Sequence, residues 1–333
     1  MYKVTLSMPI YNVAPYVERA LLSALNQTFE SIEFLIVDDR GTDNSMEIVR
    51  KIIAEHPRGK DVRIIEHPHN IGTGATKNTA IDNAQGDYLF FMDSDDEITP
   101  DCIEVLYKAM MEEPVDFVAG SYDRKEQDGE IISGFHYPTM RILGNNNIMS
   151  YQYRGYSPKI TVYTWNKLYD ISFLRKKKIK AIPSHINEDI IFTTEVLLNA
   201  SSCCLLSNIT LIYNVRENST SDTELKSLDW KQIKQKEEII LYYKSLQMKL
   251  KDESIYPYFL RRFICFMALE IVKILKSNSM GEEDKRRIVC DLFKLDLSVW
   301  AILRVIPVHL KSYFALLVVA LPYPLKKVII RLK

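Results

Sequence analysis

The chain has 333 residues, enough to bury a large core as two domains or as one domain with an extension. Hydrophobic residues at 47% and charged residues at 26% are ordinary for a soluble globular protein. Lys plus Arg and Asp plus Glu each total 43, so no net field draws in nucleic acid, and a nucleic-acid partner is not expected.

In chain order, short β-branched runs at 4–9, 33–37, 62–66, 88–92 and 116–119 predict strands, with helical patterns between them. The first helix is typical: Val17, Ala20, Leu21, Ala24 and Leu25 recur at helical spacing and put one apolar stripe against a sheet. This alternation predicts an α/β fold with a mostly parallel sheet and crossover helices. Ligands in such sheets bind beyond the carboxyl ends of strands, where the strand order switches. Residues 120–160 change character: Gly120, Gly129, Gly134, Pro138 and Gly144 punctuate a Tyr- and Asn-rich stretch that reads as a hairpin and loops. A helix over 188–198 and a strand over 204–213 follow, and from about 225 the pattern is helical, broken near 277–281 and at Pro307, Pro322 and Pro324. The expected parts are a nucleotide-type half (1–122), an acceptor-side half (123–222) and a helical C-terminal extension (223–333).

The five cysteines are odd in number and lack metal-ligand spacing, which suggests free thiols in a reducing compartment; Cys203 and Cys204 read as buried strand residues. The start, Met1 to Leu6, does not resemble a signal peptide, and no uncharged apolar run reaches the ~20 residues of a spanning helix. A cytoplasmic protein is the expectation.

Acidic clusters follow two of the predicted strands. Asp38 and Asp39 are adjacent carboxylates that repel unless a donor or a cation lies nearby, and turns rarely need both. Asp43 reads more simply as the cap of the next helix. After the apolar run 89–92 come Asp93, Asp95, Asp96 and Glu97. An Asp-x-Asp spacing can hold one Mg²⁺ or Mn²⁺ while leaving coordination positions for water and a diphosphate, whereas Glu97 suits a helix cap. Between these clusters, Asn70 to Asn78 contains Gly72 and Gly74 but matches neither a P-loop nor a dinucleotide fingerprint. It reads as a loop entering a helix whose N-terminus faces the same crevice.

Taken together, Ser7-Met8-Pro9-Ile10-Tyr11-Asn12, Leu22 to Thr28, Val37-Asp38-Asp39, Asn70-Ile71-Gly72, Lys77-Asn78 and Asp93-Ser94-Asp95-Asp96 closely resemble the family 2 glycosyltransferases of the GT-A fold. The resemblance is strong over residues 3–100 and much more specific jointly than in any one piece. It implies an inverting transferase of the bacterial cell-surface glycan type, using a nucleotide-sugar donor and a divalent metal. By motif, Pro9, Tyr11 and Asp39 would line the nucleobase pocket, with Asp39 accepting from the base and Glu18 nearby. Asp93, with Ser94 beside it, would reach the ribose, and Asp95 would ligate the metal with Asp93 close by. The family usually has Arg where Lys77 stands; Lys keeps the charge for a base or phosphate contact and loses the planar fork.

Trp165 to Tyr169, Asn187 to Phe192 and Tyr213 to Ser219 match the acceptor half of many bacterial members. The resemblance makes Asp189 the general base, flanked by apolar Ile190, Ile191 and Phe192 that would partly desolvate it, and Glu188 its orienting partner or the base itself. The simpler alternative is that both acids favour a helix N-terminus. Trp165 reads as core, His185 as a loop histidine that is not a metal ligand, and Arg216 as a residue of a loop near the diphosphate. After Asp296 the chain is free of acids and carries Arg304, Lys311, Lys326, Lys327, Arg331 and Lys333 among apolar residues. That tail fits either a headgroup-level membrane contact near a lipid-linked acceptor or a helix pair packing on the transferase or across a homodimer. Two other enzyme classes fit less well. A sugar-1-phosphate nucleotidyltransferase opens on a Gly- and Arg-rich loop, which residues 8–13 lack, and a haloacid-dehalogenase-type phosphatase carries Asp-x-Asp on its first strand. A catalytically inactive nucleotide-sugar-binding subunit is the third alternative, and the presence of both Asp95 and Asp189 argues against it.

Overall fold

The structure, a computed structural model, describes residues 2–154, 157–182, 188–216, 230–277, 280–294 and 310–331. Strands β1 (Val4–Ile10), β2 (Ile32–Asp38), β3 (Val62–Glu66) and β4 (Tyr88–Phe91) lie parallel in the order β3-β2-β1-β4. Parallel strands are covered on both faces, which is why β1 and β2 are almost uninterrupted runs of buried residues. Helices α1 (Val17–Leu25), α2 (Ser45–Glu55) and α3 (Thr73–Asn83) make the crossovers. The stripe expected on α1 is the face it buries: Val17, Ala20, Leu21, Ala24 and Leu25 join Leu6, Met8 and Phe34 in one core.

The chain runs from β1 outward to β2 and β3, then returns past β1 to β4. The strand order therefore reverses at β1, and the crevice at the carboxyl ends of β1 and β4 is the place for a ligand. Two main-chain bonds hold these ends in register: Asp39 N–H donates to the Ile10 carbonyl at 3.0 Å, and Met92 N–H to the Ser7 carbonyl at 2.9 Å.

Beyond β4 the sheet turns mixed. It continues β9-β6-β10-β5 through β5 (Glu97–Ile98), β6 (Phe117–Lys125), β9 (Lys167–Asp170) and β10 (Ser202–Asn214). Strand β9 pairs antiparallel with both β4 and β6, and β10 lies parallel to β6. The hairpin expected in 120–160 is formed by β6 and β7 (Ile131–Phe135), while β8 (Met140–Leu143) pairs with β10. Helix α4 (Cys102–Glu112) precedes β6; α5 (Asn145–Tyr153) and α6 (Ile171–Lys176) flank β9, and α7 (Glu188–Asn199) leads into β10. Neither α5 nor β9 is legible in the sequence: α5 opens on three asparagines, and β9 is only four residues long.

Two compact units result. The first, described so far, comprises 1–149 and 157–216; the second comprises 150–156 and 217–333. In the second, α8 (Trp230–Leu250), α9 (Tyr256–Lys276), α10 (Glu282–Asp291), α11 (Leu310–Ala320) and α12 (Tyr323–Arg331) share a core. Phe263, Ile264, Met267 and Ile271 of α9 meet Leu316, Val318 and Val319 of α11 there. Within the tail 297–333, α11 turns Ala315, Leu316, Val318 and Val319 into this core, whereas α12 meets it through Tyr323 and leaves Leu325 and Val328 exposed. Lys326 is buried, its Nζ donating to the carbonyls of Val318 and Val319, and Lys327 pairs with Glu282 at 2.5 Å. Among the described residues no helix is long and apolar enough to cross a membrane.

Candidate active site

The end of β2 supplies Asp39, which is buried and accepts four bonds: from His67 Nδ1 at 2.8 Å, Asn70 Nδ2 at 3.0 Å, Ile71 N–H at 3.0 Å and Gly72 N–H at 2.9 Å. Gly72 has φ of 95°, a conformation that suits glycine and turns both amides toward the carboxylate before α3 begins. A carboxylate offers about four lone-pair sites, and the donors of His67, Asn70, Ile71 and Gly72 meet both Asp39 oxygens and hold the loop entering α3. Asp38 accepts from Arg40 N–H at 2.8 Å. Asp43 accepts from Ser45 N–H at 3.1 Å, at the start of α2.

Asp93, Ser94, Asp95 and Asp96 follow β4. Ligand oxygens of Asp93, Asp95 and Asp96 all lie within 4.8 Å of one another. Burial pushes the Asp93 carboxyl up to about 7; the charge of Lys77 opposes this, and Asp95, Asp189 and Glu188 add to it. Asp96 is also raised, first by burial and then by its two neighbours. Its Oδ1 accepts from Asn214 N–H at 2.9 Å, while Oδ2 is buried and has no hydrogen-bond partner among the described residues. Asp95 Oδ2 lies 2.6 Å from Arg216 Nε, and the Arg216 guanidinium sits 5.1 Å from the centre of the Tyr16 ring. An acidic corner with one unpartnered oxygen and one cation already drawn to it has the hard-oxygen chemistry of a Mg²⁺ or Mn²⁺ site. Glu97 lies outside it, in β5, paired with Arg19 at 3.5 Å.

Helix α7 opens on Glu188 and Asp189, and both meet Lys77 of α3: Nζ donates to Glu188 Oε1 at 2.7 Å and to Asp189 Oδ1. Lys77 is buried. Desolvation disfavours its charge, but Asp189, Glu188 and Asp93 outweigh that and hold its pKa above the usual lysine value. Burial raises Glu188, with Lys77 opposing. Asp189 Oδ1 also accepts from Thr164 Oγ1 at 3.0 Å.

Residues 5–175 match the family model described as glycosyl transferase family 2. The chain belongs to glycosyltransferase family 2. The glycosyltransferase GlyA of Streptococcus pneumoniae is 30% identical over 226 residues, 66% of this chain and 31% of GlyA. An uncharacterized glycosyltransferase of Haemophilus influenzae is 27% identical over 231 residues, covering 68% of this chain and 85% of the relative. Among solved structures, residues 1–349 of TarS from S. aureus superpose with a TM-score of 0.68 at 18% identity, covering 98% of this chain and 88% of that one. The same TarS segment in complex with UDP-GlcNAc gives 0.56 at 22% identity, over 87% and 71%. The family's GT-A architecture is therefore the fold of this chain.

Within that fold, the residues singled out in the sequence fall into adjoining groups. Asp93, Ser94 and Asp95 share a corner with Arg216, and Lys77 joins Glu188 and Asp189 rather than standing free for a ligand. Pro9 is half-buried near the end of β1, Tyr11 is 45% exposed just past it, and Glu18 is exposed in the first turn of α1. Trp165 is core, as expected, at 3% exposure. His185 lies outside the described residues. Sequence reasoning missed His67, Thr164 and the clamp that Asn214 puts on the acidic corner. Of these, only Asn214 carried a signal, as part of the motif starting at Tyr213.

Proposed function

We propose that the chain is an inverting glycosyltransferase that moves a sugar from a nucleoside diphosphate sugar to a hydroxyl of a glycan or lipid-linked glycan. The observation that carries this reading is the pairing of two carboxylate sets in one unit: Asp93, Asp95 and Asp96 after β4, and Glu188 and Asp189 on α7. Asp95 and Asp93, with Asp96 behind them, would hold Mg²⁺ or Mn²⁺, which when bound offsets charge on a departing diphosphate.

The chain's own residues account for the rest. Tyr11 and Pro9, with the loop that Asp39 fixes, form the wall for the base, and Asp93 and Ser94 face the ribose. Arg216 is the cation that leaves Asp95 to contact phosphate oxygens. Asp189 takes the proton from the acceptor hydroxyl as the new bond forms. Among the described residues its bonds to Lys77 and Thr164 both fall on Oδ1, and Oδ2 is the oxygen proposed to meet the acceptor. Glu188 shares Lys77 with it and orients the pair. A UDP-sugar is the donor to test first, because the structurally similar TarS segment is known in complex with UDP-GlcNAc and with UDP.

The test is nucleotide release from a panel of UDP-sugars by purified protein in Mn²⁺ and in EDTA, with NMR of the product anomer. Release that needs the metal, with inverted configuration, is the expected result. Release indifferent to EDTA, or a retained anomer, overturns the reading.

A further inference from the structure

The segment from Ile160 to Thr164 runs beside Asp189 without regular secondary structure, yet almost every residue of it is tied down. Thr161 N–H donates to Tyr137 Oη at 3.0 Å, and the Val162 carbonyl accepts from Thr193 Oγ1 at 2.6 Å. The buried Lys167 Nζ donates to Thr161 Oγ1 at 3.0 Å and to the Tyr163 carbonyl, and Thr164 Oγ1 donates to Asp189. At its centre Tyr163 is 40% exposed, whereas Ile160, Thr164 and Trp165 are buried. Its ring lies flat on Trp165, with centroids 4.6 Å apart and planes 8° apart, and Trp165 in turn stacks on Tyr213 at 5.9 Å and 16°. A T-shaped contact from Tyr122 at 4.9 Å closes the stack from the side.

The bonds from α7, β9 and Tyr137 hold the loop, and with it the partly exposed ring, in place. The stack holds one face of the Tyr163 ring against Trp165, and the residue is 40% exposed, one position from the threonine that touches Asp189. The C–H face of a pyranose is apolar and flat enough to lie on such a ring, while its hydroxyls point sideways to polar partners.

We propose that Tyr163 is the stacking platform for the acceptor sugar, the pyranose whose hydroxyl Asp189 deprotonates. The assignment rests on the reading of Asp189 as the base. The acceptor, not the donor sugar, is the occupant because Tyr163 adjoins Thr164, whose hydroxyl donates to Asp189. The interaction is made by the ring face, so the hydroxyl of Tyr163 is dispensable.

The experiment compares wild type, Tyr163→Ala, Tyr163→Phe and Tyr163→Trp with UDP-GlcNAc or whichever UDP-sugar the wild type hydrolyses in Mn²⁺. Water, glycerol and the methyl β-pyranosides of glucose, galactose and N-acetylglucosamine serve as acceptors. For Tyr163→Ala, the expected result is a KM for the pyranoside raised about tenfold, with transfer to water and to ringless glycerol unchanged; Phe and Trp restore the KM. Equal pyranoside KM values in wild type and Tyr163→Ala overturn the platform. A donor KM raised in the water reaction moves the ring to the donor sugar and overturns the assignment to the acceptor. A wild type that neither hydrolyses nor transfers refutes the transferase reading instead, which keeps the two failures apart.

Discussion

At the end of β2, Asp39 is held by two backbone amides and two side chains that all lie within 33 residues of it in sequence. At the start of α7, Glu188 and Asp189 are held chiefly by one lysine, 111 and 112 residues away. The first arrangement draws on a short loop that brings several donors to one carboxylate, and losing one donor leaves three. The second depends on a single buried charge, and removing it strands two carboxylates in a low-dielectric setting. The loop at Asp39 is therefore tolerant of single losses, while the start of α7 depends on Lys77; if Asp189 is the proposed base, stability and catalysis meet at that lysine.

The contrast can be broken at several points. The largest effect belongs to Asp95→Ala: metal-dependent turnover falls about a thousandfold while the circular dichroism spectrum is unchanged, because the lost group serves transition-state charge rather than the fold. Turnover at the wild-type level would remove Asp95 from the metal. Lys77→Met comes next and acts on stability. Denaturant unfolding should show a loss of about 3–5 kcal/mol, since it leaves Glu188 and Asp189 unpaired. A loss under about 1 kcal/mol would show that the carboxylates find other partners. Asp189→Asn keeps the shape and removes the base, so kcat falls at least about a hundredfold with the donor KM unchanged.

The smallest effect is a pH dependence at the acidic corner. The Asp93 carboxyl titrates near 7 in the folded protein, above its unfolded value of 3.8. Its protonated form stabilises the metal-free fold fully below 3.8, and that contribution is lost as pH rises through 7. Mn²⁺ must displace the proton, so its affinity by calorimetry should rise about tenfold per pH unit up to about 7 and then level off. Asp93→Asn should flatten both the stability curve and the metal-affinity curve.

The parallel half was legible because its strands are buried on both faces and its polar clusters sit at strand ends. The predicted run 62–66 is the observed β3, and the others fall within a few residues of β1, β2 and β4. The mixed part of the sheet hid more. Asn166 adopts φ of 57° and bonds the carbonyls of Gly120 and Ser121, a turn that positions Trp165 and Lys167 but leaves no periodic trace. Strand β6 runs to Lys125 instead of stopping at 119, because Tyr122 to Lys125 pair with β7 and β10 in spite of their polarity. Lys77 stands out in the sequence, but its partners do not. Nothing local in α3 says that the lysine will meet α7, and a contact across 111 residues is set by the sheet order between them. Tyr163 was invisible for the same reason: its importance comes from the ring it lies on.

The most direct test is a crystal grown or soaked with UDP and MnCl₂, measured at the manganese absorption edge. The account predicts one anomalous peak among the carboxylates of Asp93, Asp95 and Asp96, with the diphosphate beside it and Arg216 turned from Asp95 toward phosphate. UDP bound with no peak in that corner, or a peak at some other site, would contradict it.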